Sequence, residues 1–334
     1  MDLCVVIICA PGEAVLLERS VASVVGQDPP PHQVVVVCDG RDEAIERIVR
    51  SHADRVDLAY HDRENDMSPL RSRRIGVREA RVDHVVLVDS DVELEPGALR
   101  EYSASFDADP EQLIVGKLHT DPENDPFPFF RNERLEQLAN SPENRILFYK
   151  PYLYFYMGNV ALTREMFVRS DGLGDDFVGY AIEDVAFAHC VHQQGYRFQY
   201  NNAIRSQHHR RLRNRKTEYY KNTYTMRNLD HFRRRIAPDV RSFFEGDEEA
   251  VVAEFERVAA YYDRKYVCTD LVRYFLYRGL PERAMHYRAE AHESLCRHFF
   301  RLHEAGGLDW RKIVAGGDFA RSTSGLFPLG LQRD

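Results

Sequence analysis

Val85-Val86-Leu87-Val88-Asp89-Ser90-Asp91 decides the reading of this chain, because a short apolar strand runs straight into two carboxylates one residue apart. A continuous Val/Leu run of this kind is buried on both faces, as strands of a parallel sheet are. The pattern recurs upstream. Leu3 to Ile8 is followed by Pro11-Gly12 and then by helical spacing through Leu16, Leu17, Val21, Val24 and Val25. Val34 to Val37 ends in Cys38-Asp39-Gly40, and a helix is expected from about Asp42 to Arg50. Another helix is expected over Arg73 to Arg81, leading into the Val85 run. Strands alternating with helices predict an α/β domain whose sheet is covered on both faces. Ligands of such sheets collect beyond the carboxyl ends of the strands, so Asp39, Asp89 and Asp91 are expected to line one crevice.

Downstream, Pro122 to Pro128 is proline-rich and acidic and reads as a loop, and Tyr152 to Val160 is strongly aromatic. From Asp247 onward Val251, Val252, Phe255, Val258, Ala259 and Tyr262 follow helical spacing, as do Ala284, Tyr287, Ala291, Leu295 and Leu302. The glycine-rich end from Gly306 reads as loop or frayed tail. The expected organisation is a nucleotide-binding half over 1–115, an acceptor-binding half over 116–210, and a basic segment with a helical region over 211–334.

The 334 residues, 44% hydrophobic, suffice for one large α/β body with an appendage. A formal net charge of -8 argues against a general nucleic-acid binder, which needs positive charge to displace phosphate counterions. Six scattered cysteines show no zinc-ligand spacing and read as buried thiols of a reducing compartment. No secretory signal or membrane-spanning stretch is evident, so the expected location is the cytoplasm.

Paired carboxylates after a buried strand can hold a hard divalent cation while diphosphate oxygens fill its other positions, which gives Asp89 and Asp91 a metal-binding reading. Asp39 can accept from the imide of a uracil ring or from a ribose hydroxyl, or it is a turn or capping acid. Arg71, Arg73 and Arg74 open a helix beside these acids and could meet donor phosphates, against the competing reading of a solvated basic face. Glu183-Asp184 begins an apolar-faced helix that ends near Gly195. Acids suit that position by complementing the helix dipole, and they also suit catalysis, with Asp184 as general base and Glu183 on sugar hydroxyls. His208 lies beyond the expected strand Tyr196 to Tyr200, where it could join Asp91 in a metal shell. His209 is the alternative. Arg210 to Lys221 and Arg233 to Arg235 form a basic stretch with interleaved tyrosines, read as a lid, an anion-binding surface or a solvated helix.

In this order the pieces resemble the family-two inverting glycosyltransferases with the GT-A fold, a Rossmann-like nucleotide-sugar-binding mixed sheet, here with a C-terminal helical appendage. The resemblance runs from about Leu3 to His209. It rests on Leu16 to Gln27, Val34 to Gly40, Ser72-Arg73-Arg74-Ile75-Gly76, and Val88 to Leu99 with Asp89-Ser90-Asp91 and Pro96-Gly97. Gly158-Asn159 and Gly172-Leu173 through Glu183-Asp184 are similar to the acceptor half of chondroitin-polymerase-like and galactosyltransferase-like members. Where the family usually has Pro-Thr-Tyr-Asn this chain has Cys9-Ala10-Pro11-Gly12, and Tyr180-Ala181 stands where relatives often have Trp-Gly. The resemblance implies a UDP-sugar donor, Mn2+ or Mg2+ at Asp91 and His208, inversion by direct displacement, and Asp184 as base. The acceptor is left open among saccharide, peptide, lipid-linked group and natural product, and the C-terminal helices offer a surface for self-association. Two readings from other classes are a sugar-phosphate nucleotidyltransferase and a non-catalytic binding protein on a decayed transferase fold.

Overall fold

The computed structural model describes residues 1–120, 140, 152, 155–173, 177, 179, 182–209, 215–260 and 263–315, with the backbone alone for 120, 215–226, 313 and 315. The Pro122 to Pro128 loop, Tyr180-Ala181, Arg210 to Arg213 and the tail from Gly316 lie outside the described residues. The chain divides into two compact units, Met1–Asp125 with Phe155–Asn228, and Pro126–Tyr154 with Leu229–Asp334.

In the first unit β1 (Leu3–Cys9), β2 (Gln33–Cys38), β3 (Asp57–Asp62) and β4 (His84–Asp89) run parallel, with β1 between β2 and β4. Every residue of β1 and β2 is buried, which is why their sequences show no alternation. The described sheet continues through β7 (Asn159–Thr163), β6 (Gln112–Thr120), β8 (Arg197–His208) and β5 (Val92–Leu94), in the order β3-β2-β1-β4-β7-β6-β8-β5. Because β7 is antiparallel to both β4 and β6, the sheet is mixed, as the resemblance implies.

The helices of this unit are α1 (Ala14–Val25), α2 (Glu43–Ser51), α3 (Pro69–Glu79), α4 (Ala98–Ala108), α5 (Arg164–Ser170) and α6 (Glu183–Gln193). Asp42 caps α2 by accepting from the amides of Ala44 and Ile45. α3 begins at Pro69, four residues before the expected start, because proline at the first helical position costs no hydrogen bond. Gly76 of α3 lies so close to β1 that a Cβ there would stand 2.1 Å from Val6 Cγ1. This seat fixes the face of α3 that carries Arg73.

α7 (Arg215–Glu245) leads into the second unit, which holds α8 (Glu248–Val258), α9 (Arg264–Tyr277), α10 (Pro281–Arg288), α11 (Glu293–Glu304) and α12 (Trp310–Ala315). α9 is its centre, buried at every position from Val267 to Tyr277. Phe244 stacks between Tyr274 and Trp310, with ring centroids 5.7 and 5.9 Å away. The helical spacing from Ala284 to Leu302 is broken into α10 and α11 where the His292 amide leaves the helix to donate to Thr269 Oγ1 at 2.9 Å.

Candidate active site

The acids at the carboxyl ends of the parallel strands fall on one edge of the sheet. Asp39 follows β2, and its Oδ1 accepts from Arg63 Nη2 at 2.9 Å and from the Asp66 amide at 3.2 Å. Burial pushes its carboxyl above the ordinary range and Arg63 opposes that shift. Arg63 also donates to Asp66, Ser72 and the Ser68 carbonyl, so one guanidinium ties the β3–α3 connection to Asp39.

Asp89 ends β4 with both side-chain oxygens engaged. Arg73 Nη2 donates to Oδ1 at 2.8 Å and Tyr156 Oη donates to Oδ2 at 3.3 Å. Ser90 donates to Glu13 Oε2 at 2.6 Å, and the same oxygen accepts from the Ala10 amide at 2.9 Å. Glu13 therefore links the β1–α1 loop to the Asp89–Asp91 segment.

β5 pairs antiparallel with β8, placing Val92 opposite His208. His208, at the end of β8, has its Nε2 3.4 Å from Oδ2 of Asp91 in the turn before β5. His209 takes another partner: its amide donates to the Asp91 carbonyl at 2.7 Å and its Nε2 lies 2.7 Å from Glu93 Oε2. Of the two histidines, only His208 faces the Asp91 carboxylate. Two donor atoms on one small divalent cation lie roughly 3.0–3.4 Å apart at octahedral to tetrahedral angles, so the Asp91–His208 pair fits a shared ion. Among the described residues no group of three or more His, Cys, Asp or Glu stands together as a metal site.

The three arginines expected near donor phosphates each hold a carboxylate. Arg71 donates to Asp66 at 2.6 Å, Arg74 grips Asp171 through two bonds, and Arg73 lies buried between Asp89 and the start of α6. Arg73 Nη1 is 3.6 Å from Asp184 Oδ1. Here the expected acid pair is brought to the strand-end acids, since Glu183 and Asp184 open α6 after Ile182, whose φ of 70° turns the chain sharply into the helix. Glu183 Oε2 and Asp184 Oδ1 are buried and make no hydrogen bond among the described residues. Burial raises Glu183 well above the carboxylate range, and the adjacent Asp184 adds to that. Burial likewise raises Asp184, against the pull of Arg73. Arg73 thus lies between Asp89 and Asp184, and at Asp184 burial outweighs its pull.

Sequence reasoning did not single out Glu13, Arg63, Tyr156 or Asp171. Tyr156 lies within the aromatic stretch Tyr152 to Val160, whose other members give it no distinction. The remaining three are ordinary loop residues until the fold supplies their partners.

The profile of glycosyl transferase family 2 matches residues 5–172, just over half of the chain. The chain belongs to glycosyl transferase family 2. Similar family members are a hyaluronan synthase of Pasteurella multocida, 26% identical over 208 residues that cover 53% of this chain and 21% of that protein, and a validoxylamine A glucosyltransferase of Streptomyces hygroscopicus subsp. limoneus, 25% identical over 54% of this chain and 46% of that protein. The chain spans less than half the length of either relative. By fold it is similar to S. aureus TarS 1-349 in complex with UDP-GlcNAc, with a TM-score of 0.55 at 15% identity over 96% of this chain and 92% of that one. It is also similar to mannosyltransferase PcManGT from Pyrobaculum calidifontis in complex with GDP-Man and Mn2+, with a TM-score of 0.53 at 16% identity over 97% of this chain and 86% of that one. Such glycosyltransferase neighbours agree with the GT-A architecture expected of a family-two enzyme. No helix among the described residues is long and apolar enough to cross a membrane.

Proposed function

We propose that this family-two glycosyltransferase moves a sugar from a UDP-sugar to an acceptor nucleophile by a single inverting displacement assisted by a divalent cation. The observation that carries the reading is the convergence of Asp89 and Asp184 on Arg73. It sets a basic carboxylate beside the segment whose other acid, Asp91, faces His208.

Asp184 takes the proton of the attacking hydroxyl as the acceptor oxygen bonds to the anomeric carbon and the bond to the diphosphate oxygen breaks. Its raised pKa makes it a stronger base than an ordinary aspartate while leaving it ionised at neutral pH. Glu183 contacts sugar hydroxyls, and Asp39, fixed by Arg63, receives the uracil imide or a ribose hydroxyl. Asp91 and His208 would hold Mn2+ or Mg2+, which neutralises charge on the departing diphosphate when bound. Asp89 supports that site through Arg73 and Tyr156, and Arg73 acts on the donor through Asp89. In this assignment 1–115 is the donor half, 116–210 the acceptor half and 211–334 the appendage. Fold neighbours solved with UDP-GlcNAc, or with UDP, GalNAc and Mn2+, support the donor class and the cation.

The test is thermal stabilisation of the protein by UDP, GDP and dTDP with and without Mn2+, followed by UDP release from UDP-glucose and UDP-GlcNAc by the native chain and Asp184→Asn. Stabilisation by UDP that needs the metal, with release lost in the variant, is expected. Stabilisation by GDP alone would reassign the donor.

A further inference from the structure

We infer that Arg74 and Asp171 form a clamp that positions the acid pair, making Arg74 a positioning residue of the transfer reaction. The inference rests on the reading of Asp184 as the base. Arg74 Nε and Nη2 donate to Asp171 Oδ2 and Oδ1 at 2.6 and 2.7 Å, a two-bond fork between residues 97 apart in the chain. Both side chains are largely buried, at 22% and 18% exposure. Asp171 is the C-terminal cap of α5, so it begins the connection that ends at Glu183-Asp184 in the first turn of α6. Arg73, the neighbour of Arg74 on α3, faces the other end of that connection at Asp184.

Adjacent residues of one helix therefore hold both ends of the segment that delivers the acids. α3 is a fixed support for them, because Gly76 leaves no room between the helix and Val6 of β1. α5 is anchored independently: Thr163 caps it by accepting from the Met166 amide, and the Arg164 amide donates to the Asp83 carbonyl at 2.8 Å. A fork fixes direction as well as distance, which a single lysine bond does not. With α5 held from β7 and α3 held on β1, the clamp fixes α5 beside α3, and α5 meets α6 directly where the Phe167 and Phe187 rings lie 5.0 Å apart.

The test compares Arg74→Met, Arg74→Lys, Asp171→Asn and the Arg74→Met/Asp171→Asn double variant in the full chain. Hydrogen exchange, UDP binding with Mn2+, and UDP release from UDP-glucose and UDP-GlcNAc are measured on each. In Arg74→Met, exchange should rise about tenfold or more at Gly172, Leu173 and the first turn of α6, with β1 unchanged. UDP affinity should stay within about twofold while kcat for release falls about 100-fold at unchanged donor KM, the cost of a misplacement near 1 Å. Arg74→Lys should recover little, and the double variant should be no worse than Arg74→Met, as members of one pair are not additive. Unchanged exchange in Arg74→Met, parallel loss of UDP affinity and kcat, or additive losses in the double variant would overturn the clamp. Should Arg74→Met not fold, Asp171→Asn, which keeps shape and volume, carries the same readouts. Asp184→Asn separates the two readings: normal release by that variant removes the base assignment while exchange still judges the clamp. An inactive Asp184→Asn beside a normal Arg74→Met removes the clamp alone.

Discussion

His208 Nε2 stands 3.4 Å from Asp91 Oδ2, whereas His209, one residue on, is turned to Glu93 at 2.7 Å. Asp91 lies in the turn before β5 and His209 just beyond β8, so the chain path at the ends of the paired strands sends each imidazole to a different acid. Asp91→Ala and His208→Ala should therefore abolish the metal-dependent part of UDP stabilisation. His209→Ala should retain most of it. A ligand at 100 times its Kd stabilises by about 2.7 kcal/mol, a shift of several degrees that a thermal melt resolves. Equal loss in both histidine variants would reverse the assignment.

Asp184→Asn removes the proposed proton acceptor and keeps the side chain's shape. Turnover should drop about 10²–10⁴-fold with UDP affinity nearly unchanged. The native enzyme should lose activity as pH falls through the Asp184 pKa of about 6, since the carboxyl must be ionised to accept a proton. That acid limb, read from kcat/KM between pH 5 and 8, should be missing from the residual activity of the variant. An unchanged limb in Asp184→Asn would assign it to another group.

What the chain declared in advance follows from burial. β1, β2 and β4 are apolar without interruption because both faces are covered, and their ends located Asp39, Asp89 and Asp91. β3 escaped notice because Asp57–Asp62 is a half-exposed edge strand with a polar sequence. β8 runs to His208, well beyond the Tyr196 to Tyr200 reading, since its Asn-, Ser- and Gln-containing second half is held by pairing with β6 and β5 rather than by apolar content. The acid pair was visible as a helix start, but the partners of the α3 arginines were not. Asp89 lies 16 residues from Arg73 and Asp171 lies 97 from Arg74, distances across which only the folded sheet brings charges together.

The same raised pKa has a stability consequence. Asp184 has a higher pKa folded than unfolded, so its contribution is fully present below the unfolded value and is lost as pH rises through about 6. Glu183 acts in the same direction. Asparagine cannot ionise and resembles the protonated form. Asp184→Asn should therefore raise Tm relative to the native chain at pH 8 and lose that advantage toward pH 4, as monitored by circular dichroism. A variant less stable at pH 8 than at pH 4, relative to native, would mean that the Asp184–Arg73 attraction outweighs burial.

Gly76→Ala tests whether the site depends on how closely α3 is seated on β1. The new Cβ would meet Val6 Cγ1 at 2.1 Å and Val6 Cβ at 3.2 Å, and valine cannot rotate a methyl away without turning another into the same space. The helix must move outward, at about 1–3 kcal/mol for overpacking. Helix propensity alone predicts the opposite sign, a gain of about 1 kcal/mol from replacing glycine by alanine. A lowered Tm therefore shows that contact with β1 dominates. Arg73 precedes Gly76 by nearly one turn, so outward movement should also lengthen its 2.8 Å bond to Asp89 and weaken metal-dependent UDP binding. Adding Val6→Ala removes the obstructing methyls. The double variant should be more stable than the sum of the single changes predicts and should regain UDP binding, whereas strict additivity would place the effect of Gly76→Ala elsewhere than at this contact.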